Sequence, residues 1–194
     1  MRDFYPQMFI DEGLIHKHSP ITYYFRFFEW LSYKAADTIA IESPNNVEWF
    51  IKNKVVKKPL VLLYNWAADD PGFSEVGHYR KTLGLQDKVV YFYGGNIGPQ
   101  QDIMNIIRLA RAMRFEEKAH FVLVGEGFAL PLVRNEIEKK DLNNLTLLPP
   151  VSQEEFKKIL SEFDVGLFSL NFNHTTHNIP GKLLGYMVHE KPIL

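Results

Sequence analysis

The chain has 194 residues, of which 46% are hydrophobic and 23% charged, and its formal net charge at pH 7 is −1. This composition is typical of a soluble globular protein and excludes a disordered or fibrous one. The near-zero charge provides no broad attraction to nucleic acid, so we predict no nucleic-acid partner. The absence of cysteine excludes disulfides, thiolate metal sites and thiol nucleophiles, and it suits the cytosol.

The N-terminal sequence lacks the basic and then apolar pattern of a signal peptide. No apolar run in the sequence is long enough to cross a bilayer. Both observations indicate a cytoplasmic location.

Residues 20–36 are predicted to form a helix that is rich in aromatic side chains, including Tyr23, Tyr24, Phe28 and Trp30. Such a helix either packs against a sheet or lies on a membrane surface. We favour packing against a sheet, because the polar face carries few basic residues for electrostatic attachment. Peripheral membrane association stays open as the alternative.

The remainder of the first third alternates between strand and helix patterns. Residues 38–41 and 59–63 are predicted strands. Ser43 and Pro44 suit the N-cap and first position of a helix that runs to about residue 52. The polar loop at 65–72 marks a domain boundary. We therefore predict one domain over residues 1–66 and a second over residues 67–194.

The second domain has a more regular pattern of short β-rich runs separated by amphipathic helices. The predicted strands are 88–93, 119–124, 145–148, 165–169 and the beginning of one at 192–194. Strands that alternate with helices at this spacing predict parallel βαβ units, and so an α/β, Rossmann-like sheet. Because a parallel strand needs neighbours that cover both faces, we expect the fold to be incomplete at both ends.

A glycine-rich turn, YGGNIG, lies between a predicted strand and a predicted helix, with glycines at Gly94, Gly95 and Gly98 around Asn96. Glycines let a backbone approach a ligand closely, and the next helix offers free N–H groups to a phosphate. On these residues alone, a plain tight turn is an equally good interpretation. The spacing differs from the dinucleotide fingerprint and from the P-loop.

A second turn carries Pro180, Gly181 and Lys182 at a predicted helix entry. Backbone donors and a mobile cation could together bind a diphosphate; an ordinary capped helix with a solvated lysine is the alternative. His174 and His177 precede this turn, but zinc usually needs three or four ligands. We therefore predict no metal site.

Considered as an ordered series, segments along nearly the whole chain resemble glycosyltransferase family four. The resemblance is to bacterial O-antigen, capsule and exopolysaccharide transferases, which include L-fucosamine-type aminosugar transferases. The segments are RDFYPQ (2–7), ADTIAIESPNNVEWF (36–50), LYNWA (63–67), VVYFYGGNIGPQQDI (89–103), FVLVGEG (121–127), LLPPVSQEEF (147–156), FDVGLFSL (163–170) and IPGKLLGYMVHEKPIL (179–194).

This resemblance implies a GT-B fold, in which two Rossmann-like domains enclose an active-site cleft. Residues 1–66 would then be the C-terminal part of the N-terminal, acceptor-side domain, and 67–194 a truncated domain that binds the nucleotide-sugar donor. Such enzymes take a sugar from a nucleoside diphosphate such as UDP, without a metal or cofactor, and retain its anomeric configuration.

The resemblance also implies roles for individual residues. Those that would face the sugar diphosphate or its nucleobase are Gly94, Gly95, Asn96, Gly98, Pro150, Val151, Pro180, Gly181 and Lys182. Lys182 would neutralise the diphosphate, while Pro150 and Val151 would lie by the nucleobase. Asp3 is placed on the acceptor side, with an acceptor or catalytic role.

Two departures from the family pattern concern charge. Many members carry an arginine and a lysine where this sequence has Gly95 and Gln101. Two glutamates that often mark the donor site are replaced by His177 and Gly185. The loss of a carboxylate at Gly185 removes the usual ribose contact, and Lys182 would carry more of the phosphate charge than in relatives.

The favoured function is transfer of a hexose or N-acetylated aminosugar from a nucleoside-diphosphate carrier to a growing bacterial surface glycan, free or lipid-linked, at the inner face of the plasma membrane. One alternative is an inactive or merely nucleotide-binding remnant of a disrupted glycosyltransferase gene. A nucleotide-sugar epimerase is a third, weaker option. Because transfer needs donor and acceptor positioned together, the truncated chain could be inactive alone.

Overall fold

The computed structural model describes residues 4–54, 56–68, 77–140, 142–173 and 179–194. The chain divides into two compact units. The first comprises Met1–Trp66 with Phe172–Pro180, and the second comprises Ala67–Asn171 with Gly181–Leu194. The division at Trp66 lies beside the predicted domain boundary. The assignment of the two units to acceptor and donor sides stays a prediction.

The first unit contains a two-stranded parallel sheet and three helices. The helices are α1 (Gln7–Asp11), α2 (Pro20–Ala35) and α3 (Pro44–Asn53), and the strands are β1 (Ile39–Ile41) and β2 (Leu60–Leu62). Helix α3 begins as predicted, because the Ser43 side chain accepts a hydrogen bond from the Asn46 N–H at 3.1 Å. The core of this unit consists of Phe4, Tyr33, Ile39, Ile41 and Phe50.

Helix α2 differs from its prediction in the direction that its aromatic side chains face. Only Thr22 and Tyr33 of α2 are buried, whereas Tyr24 is 60% and Trp30 51% exposed. The inner face holds polar contacts instead, since Glu29 accepts from Tyr33 Oη at 2.7 Å. The prediction that the aromatic stripe packs against a sheet was wrong, because apolar residues occur on both faces of α2 and periodicity could not select one.

None of the helices in the described part of the chain is long and apolar enough to span a bilayer.

The second unit is built on a four-stranded parallel sheet in the order β5-β4-β3-β6. The strands are β3 (Val89–Gly94), β4 (Ala119–Val124), β5 (Leu145–Leu148) and β6 (Val165–Gly166). The helices are α4 (His78–Thr82), a 3₁₀ turn at Pro99–Gln101, α5 (Ile103–Ala112), α6 (Leu130–Lys140), α7 (Gln153–Glu162) and α8 (Gly181–Val188). The predicted parallel α/β architecture is confirmed.

Side chains alternate between the two faces of this sheet, as period-two strands require. Tyr93 and Phe121 point into the core under α5 and α6. Phe92 and Val122 point into a second core formed with α7 and α8. Both faces are therefore covered, which is the condition under which parallel sheets are found.

The last two strands are shorter than predicted. Regular pairing of β6 with β3 ends at Gly166, although the Leu167 N–H still donates to the Phe92 carbonyl at 2.6 Å. The strand predicted at 192–194 contributes a single parallel bridge between Ile193 and Gly166.

An arginine network fixes α4 to the ends of the sheet strands away from the glycine turns. The Arg80 guanidinium donates to the carbonyls of Glu162 at 2.6 Å and Lys88 at 2.9 Å, and to Asp164 Oδ2 at 2.6 Å. Its side chain is 19% exposed. These carbonyls belong to segments far apart in sequence, so Arg80 joins them in one place.

We expect Arg80→Met to lower the free energy of unfolding by about 2 kcal/mol, because partly buried carbonyls lose their arginine donor and Asp164 loses its ion pair. Urea denaturation measures this difference. Arg134→Met is the matched control, since Arg134 is exposed and has no hydrogen-bond or ion-pair partner among the described residues. Equal stabilities of the two variants would contradict the assigned role.

Candidate functional site

The carboxyl ends of β3, β4 and β5 meet at one edge of the sheet, where ligands bind in open α/β folds. The segments that follow these strands enclose a pocket of about 340 Å³. Its lining residues are Gly95, Asn96, Val124, Gly125, Glu126, Pro150, Val151 and Phe156. The structure therefore brings together four residues of the predicted site, namely Gly95, Asn96, Pro150 and Val151.

The loops after β3 and β4 run in direct backbone contact. The Gly95 N–H donates to the Val124 carbonyl at 2.9 Å, and the Ile97 N–H donates to the Glu126 carbonyl at 2.7 Å. A Cβ at Gly125 would overlap the Gly95 carbonyl oxygen, and the φ of Gly125 is +146°. This glycine is therefore required for two backbones to meet, whether or not a ligand is present.

Lys182 approaches this edge from the first turn of α8. Strands β6 and β3 are neighbours, and α8 is the helix that follows β6 in the chain. The Lys182 Nζ lies 3.8 Å from the centroid of the Tyr93 ring. It also lies 3.7 Å from the position that a Cβ would take at Gly95.

The Lys182 amine is buried and makes no hydrogen bond within the described part of the chain. Burial lowers its pKa from the usual value to about 8. Contact with the Tyr93 ring face offers the ammonium a cation–π attraction, but this does not replace hydrogen-bond acceptors. A buried cation without acceptors destabilises the protein. An anion at Gly95 would supply the acceptors once the flexible side chain turns toward it.

The other predicted site residues have different surroundings. Gly94 ends β3 and is buried, and a Cβ there would overlap the Phe156 ring. Gly98 is also buried and precedes the 3₁₀ turn, which separates the glycine turn from α5. Gly181 is the first residue of α8, and Pro180 immediately precedes it.

Several predictions fall on residues outside the described ranges. One is the acceptor-side role of Asp3. The others are the metal site considered at His174 and His177, and the family glutamate position that His177 occupies.

Sequence reasoning missed four residues that line the pocket, namely Val124, Gly125, Glu126 and Phe156. The GEG sequence at Gly125–Gly127 entered the prediction only as the end of the segment FVLVGEG (121–127) that carries the family resemblance. The signal that could have found Glu126 is its position directly after a buried strand of a parallel sheet, which places it at the ligand-binding edge. Phe156 is recognisable only as an apolar position of α7.

Gly185 lies away from this pocket, in a separate groove of about 240 Å³ that it lines with Phe156 and Leu160. The nearest atom to a Cβ at Gly185 would be Leu160 Cδ2, at 4.0 Å. The space beside Gly185, where the family resemblance implies a carboxylate, is therefore open in this protein.

No family model matches the sequence. A curated relative is WcaI of Escherichia coli strain K12, which carries the provisional name of a colanic acid biosynthesis glycosyl transferase. It is 24% identical over 152 residues, which cover 76% of this chain and 37% of WcaI.

Solved structures show the same arrangement of strands and helices. HepE of Anabaena, solved in complex with UDP-glucose, matches with a TM-score of 0.72 at 18% identity, over 93% of this chain and 50% of HepE. WaaG, a glycosyltransferase involved in lipopolysaccharide biosynthesis, matches with a TM-score of 0.77 at 13% identity, over 98% of this chain and 53% of WaaG. The fold is that of the GT-B glycosyltransferases.

The match to GT-B structures covers only part of each relative. The chain spans about half or less of the length of these relatives. The structures match at low sequence identity, so they establish the fold, while substrates and activity rest on the site itself.

Proposed function

We propose that this chain carries the donor site of a glycosyltransferase that takes a sugar from a nucleoside-diphosphate carrier. The observation that carries the proposal is the buried Lys182 amine, which has no hydrogen-bond acceptor among the described residues and lies beside the exposed Gly95. A diphosphate is the anion that fits, because the pocket continues from Gly95 to the apolar residues Pro150 and Val151. UDP-glucose and UDP in solved GT-B structures support this choice of ligand.

The charge that develops during transfer explains the need for this cation. The bond between the sugar C1 and a β-phosphate oxygen breaks, and the electron pair stays on the departing diphosphate. The acceptor hydroxyl forms the new glycosidic bond, and its proton passes to the departing phosphate oxygen. The Lys182 ammonium would stabilise the diphosphate as its charge increases. Because Gly95 has no side chain, nothing at that position separates the Lys182 ammonium from the diphosphate.

The finer parts of the proposal concern the substrates. We propose a hexose or N-acetylated aminosugar as the transferred group, as in L-fucosamine-type transferases of family four, with retention at C1. The acceptor would be a bacterial surface glycan or its lipid-linked precursor, at the inner face of the plasma membrane. The names of WcaI and WaaG support this class of product. Asp3 keeps its predicted role on the acceptor side.

Titration calorimetry with UDP tests the donor site directly. We expect UDP to bind and AMP, with one phosphate fewer and a purine base, to bind at least about tenfold more weakly, because each lost charged contact costs about 1.4 kcal/mol or more. Equal affinity for both nucleotides, or no binding of either, would contradict the proposal.

The affinity for UDP should also depend on pH. Free Lys182 has its pKa lowered to about 8, and a bound diphosphate raises it again. Binding above pH 8 therefore requires proton uptake, and UDP affinity should fall about tenfold between pH 7 and pH 9. Calorimetry in buffers of different ionisation enthalpy measures the uptake at pH 8.5. A flat profile without proton uptake would show that Lys182 does not meet the diphosphate.

A further inference from the structure

The loop after β4 carries a carboxylate, Glu126, that has no role in the sugar-transfer step proposed above. Glu126 is the one charged residue among those described as lining the pocket. Its side chain is exposed and makes no hydrogen bond or ion pair within the described ranges. A carboxylate close to a bound diphosphate is unfavourable unless donors from the ligand satisfy it.

The backbone fixes the position of Glu126 independently of its side chain. It lies between Gly125 and Gly127, which have φ values of +146° and +152°. A Cβ at Gly127 would overlap the carbonyl oxygen of Ile97, and the Glu126 carbonyl accepts the Ile97 N–H at 2.7 Å. The loop is thus held against its neighbour, and this fixes the backbone of Glu126 at the pocket that it lines.

The strand order locates Glu126 along a bound nucleotide. Lys182 and Gly95 mark the diphosphate beside β3, and Pro150 with Val151 follows β5. Glu126 follows β4, the strand between them. Neighbouring strands are about 4.8 Å apart, so a ligand that reaches from Gly95 to Pro150 passes over the β4 loop midway. In a nucleoside diphosphate, the ribose is the group between phosphate and base.

We propose that Glu126 accepts hydrogen bonds from the two ribose hydroxyls of the donor nucleotide and selects ribonucleotides over deoxyribonucleotides. A carboxylate has the acceptor sites for two neighbouring hydroxyls. This inference rests on the proposed function, and it deepens that function by naming a specificity-determining residue.

The test compares UDP with 2′-deoxy-UDP by calorimetry, in the wild-type protein and in Glu126→Ala. We expect the wild type to bind UDP about tenfold or more tightly than 2′-deoxy-UDP, because a hydrogen bond to a charged acceptor is lost. In Glu126→Ala the ratio should fall to about one. The ratio is the readout because removal of a negative charge can itself strengthen diphosphate binding. Glu116→Ala, at an exposed glutamate near the other end of β4, should keep the wild-type ratio.

Four outcomes would overturn the inference. A ratio unchanged by Glu126→Ala would exclude the ribose contact. If Glu126→Ala binds UDP as the wild type does but no longer binds UDP-glucose more tightly than UDP, Glu126 contacts the hexose hydroxyls instead. A wild type that binds UDP without any preference for ribose would retain the proposed donor site and exclude this role, whereas absence of all nucleotide binding would overturn both.

Discussion

Lys182→Met is expected to weaken UDP binding about 100-fold while making the ligand-free protein more stable. The loss of affinity follows from removing the cation beside Gly95, where a charge-assisted contact to the diphosphate is worth about 1.5–3 kcal/mol. Isothermal calorimetry with UDP at pH 7 measures the first effect, and urea denaturation without ligand measures the second.

The expected gain in the free energy of unfolding of Lys182→Met depends on pH. Burial lowers the pKa of Lys182 to about 8, while in the unfolded chain it has its ordinary higher value. Between these values the unfolded chain binds more protons, so the stability of the wild type rises with pH there and is lowest below pH 8. Lys182→Met removes this penalty. We expect it to raise the free energy of unfolding at pH 7 by about 1–3 kcal/mol, with the difference shrinking toward pH 10.

Lys118→Met is the matched control, because Lys118 is exposed and directly precedes β4 at the end away from the pocket. It should change neither UDP affinity nor stability measurably. If Lys182→Met destabilises the protein and leaves UDP affinity intact, Lys182 is a packing residue on Tyr93 and the donor-site assignment fails.

Gly125→Ala should lower the free energy of unfolding by about 4 kcal/mol and abolish UDP binding. The added methyl group would overlap the carbonyl oxygen of Gly95, which is backbone and cannot move aside without breaking the bond from the Gly95 N–H to Val124. The φ of +146° adds backbone strain for any residue with a Cβ. Separation of the two loops would also open the pocket that they line.

Gly84→Ala separates the two causes of this loss. Gly84 also has a positive φ, at +67°, but a Cβ there would meet nothing within 4 Å. Backbone strain alone should cost about 1–2 kcal/mol. Thermal denaturation of both variants measures the difference, and equal losses would mean that the loop contact at Gly125 contributes nothing.

Much of the second unit could be predicted from the sequence, because its elements are encoded locally. Strand β4 has the predicted bounds of 119–124, and β5 has those of 145–148. Each is an apolar run that ends at turn residues, so short-range patterning is sufficient. Ser152 and Glu155 have the spacing of a capping box, and the Ser152 side chain accepts the Glu155 N–H at 3.2 Å. The reciprocal half of that capping box is absent, because Glu155 instead accepts a hydrogen bond from Tyr79.

The tertiary structure decided what the local pattern could not. The sequence predicted helix α2 but could not show that Tyr24 and Trp30 face outward. Sequence spacing could not show that Gly125 is required by the carbonyl of Gly95, thirty residues earlier, because this contact depends on β3 and β4 being neighbours.

The sequence by itself determined the order and type of elements, and with them the parallel α/β architecture, because hydrophobic period and capping act over a few residues. Only the folded chain determined that Lys182 lies beside Gly95 with no acceptor from the described ranges, and that Gly95 and Glu126 line one pocket. Those relations depend on the strand order β5-β4-β3-β6, which is fixed by long-range packing of the two faces of the sheet.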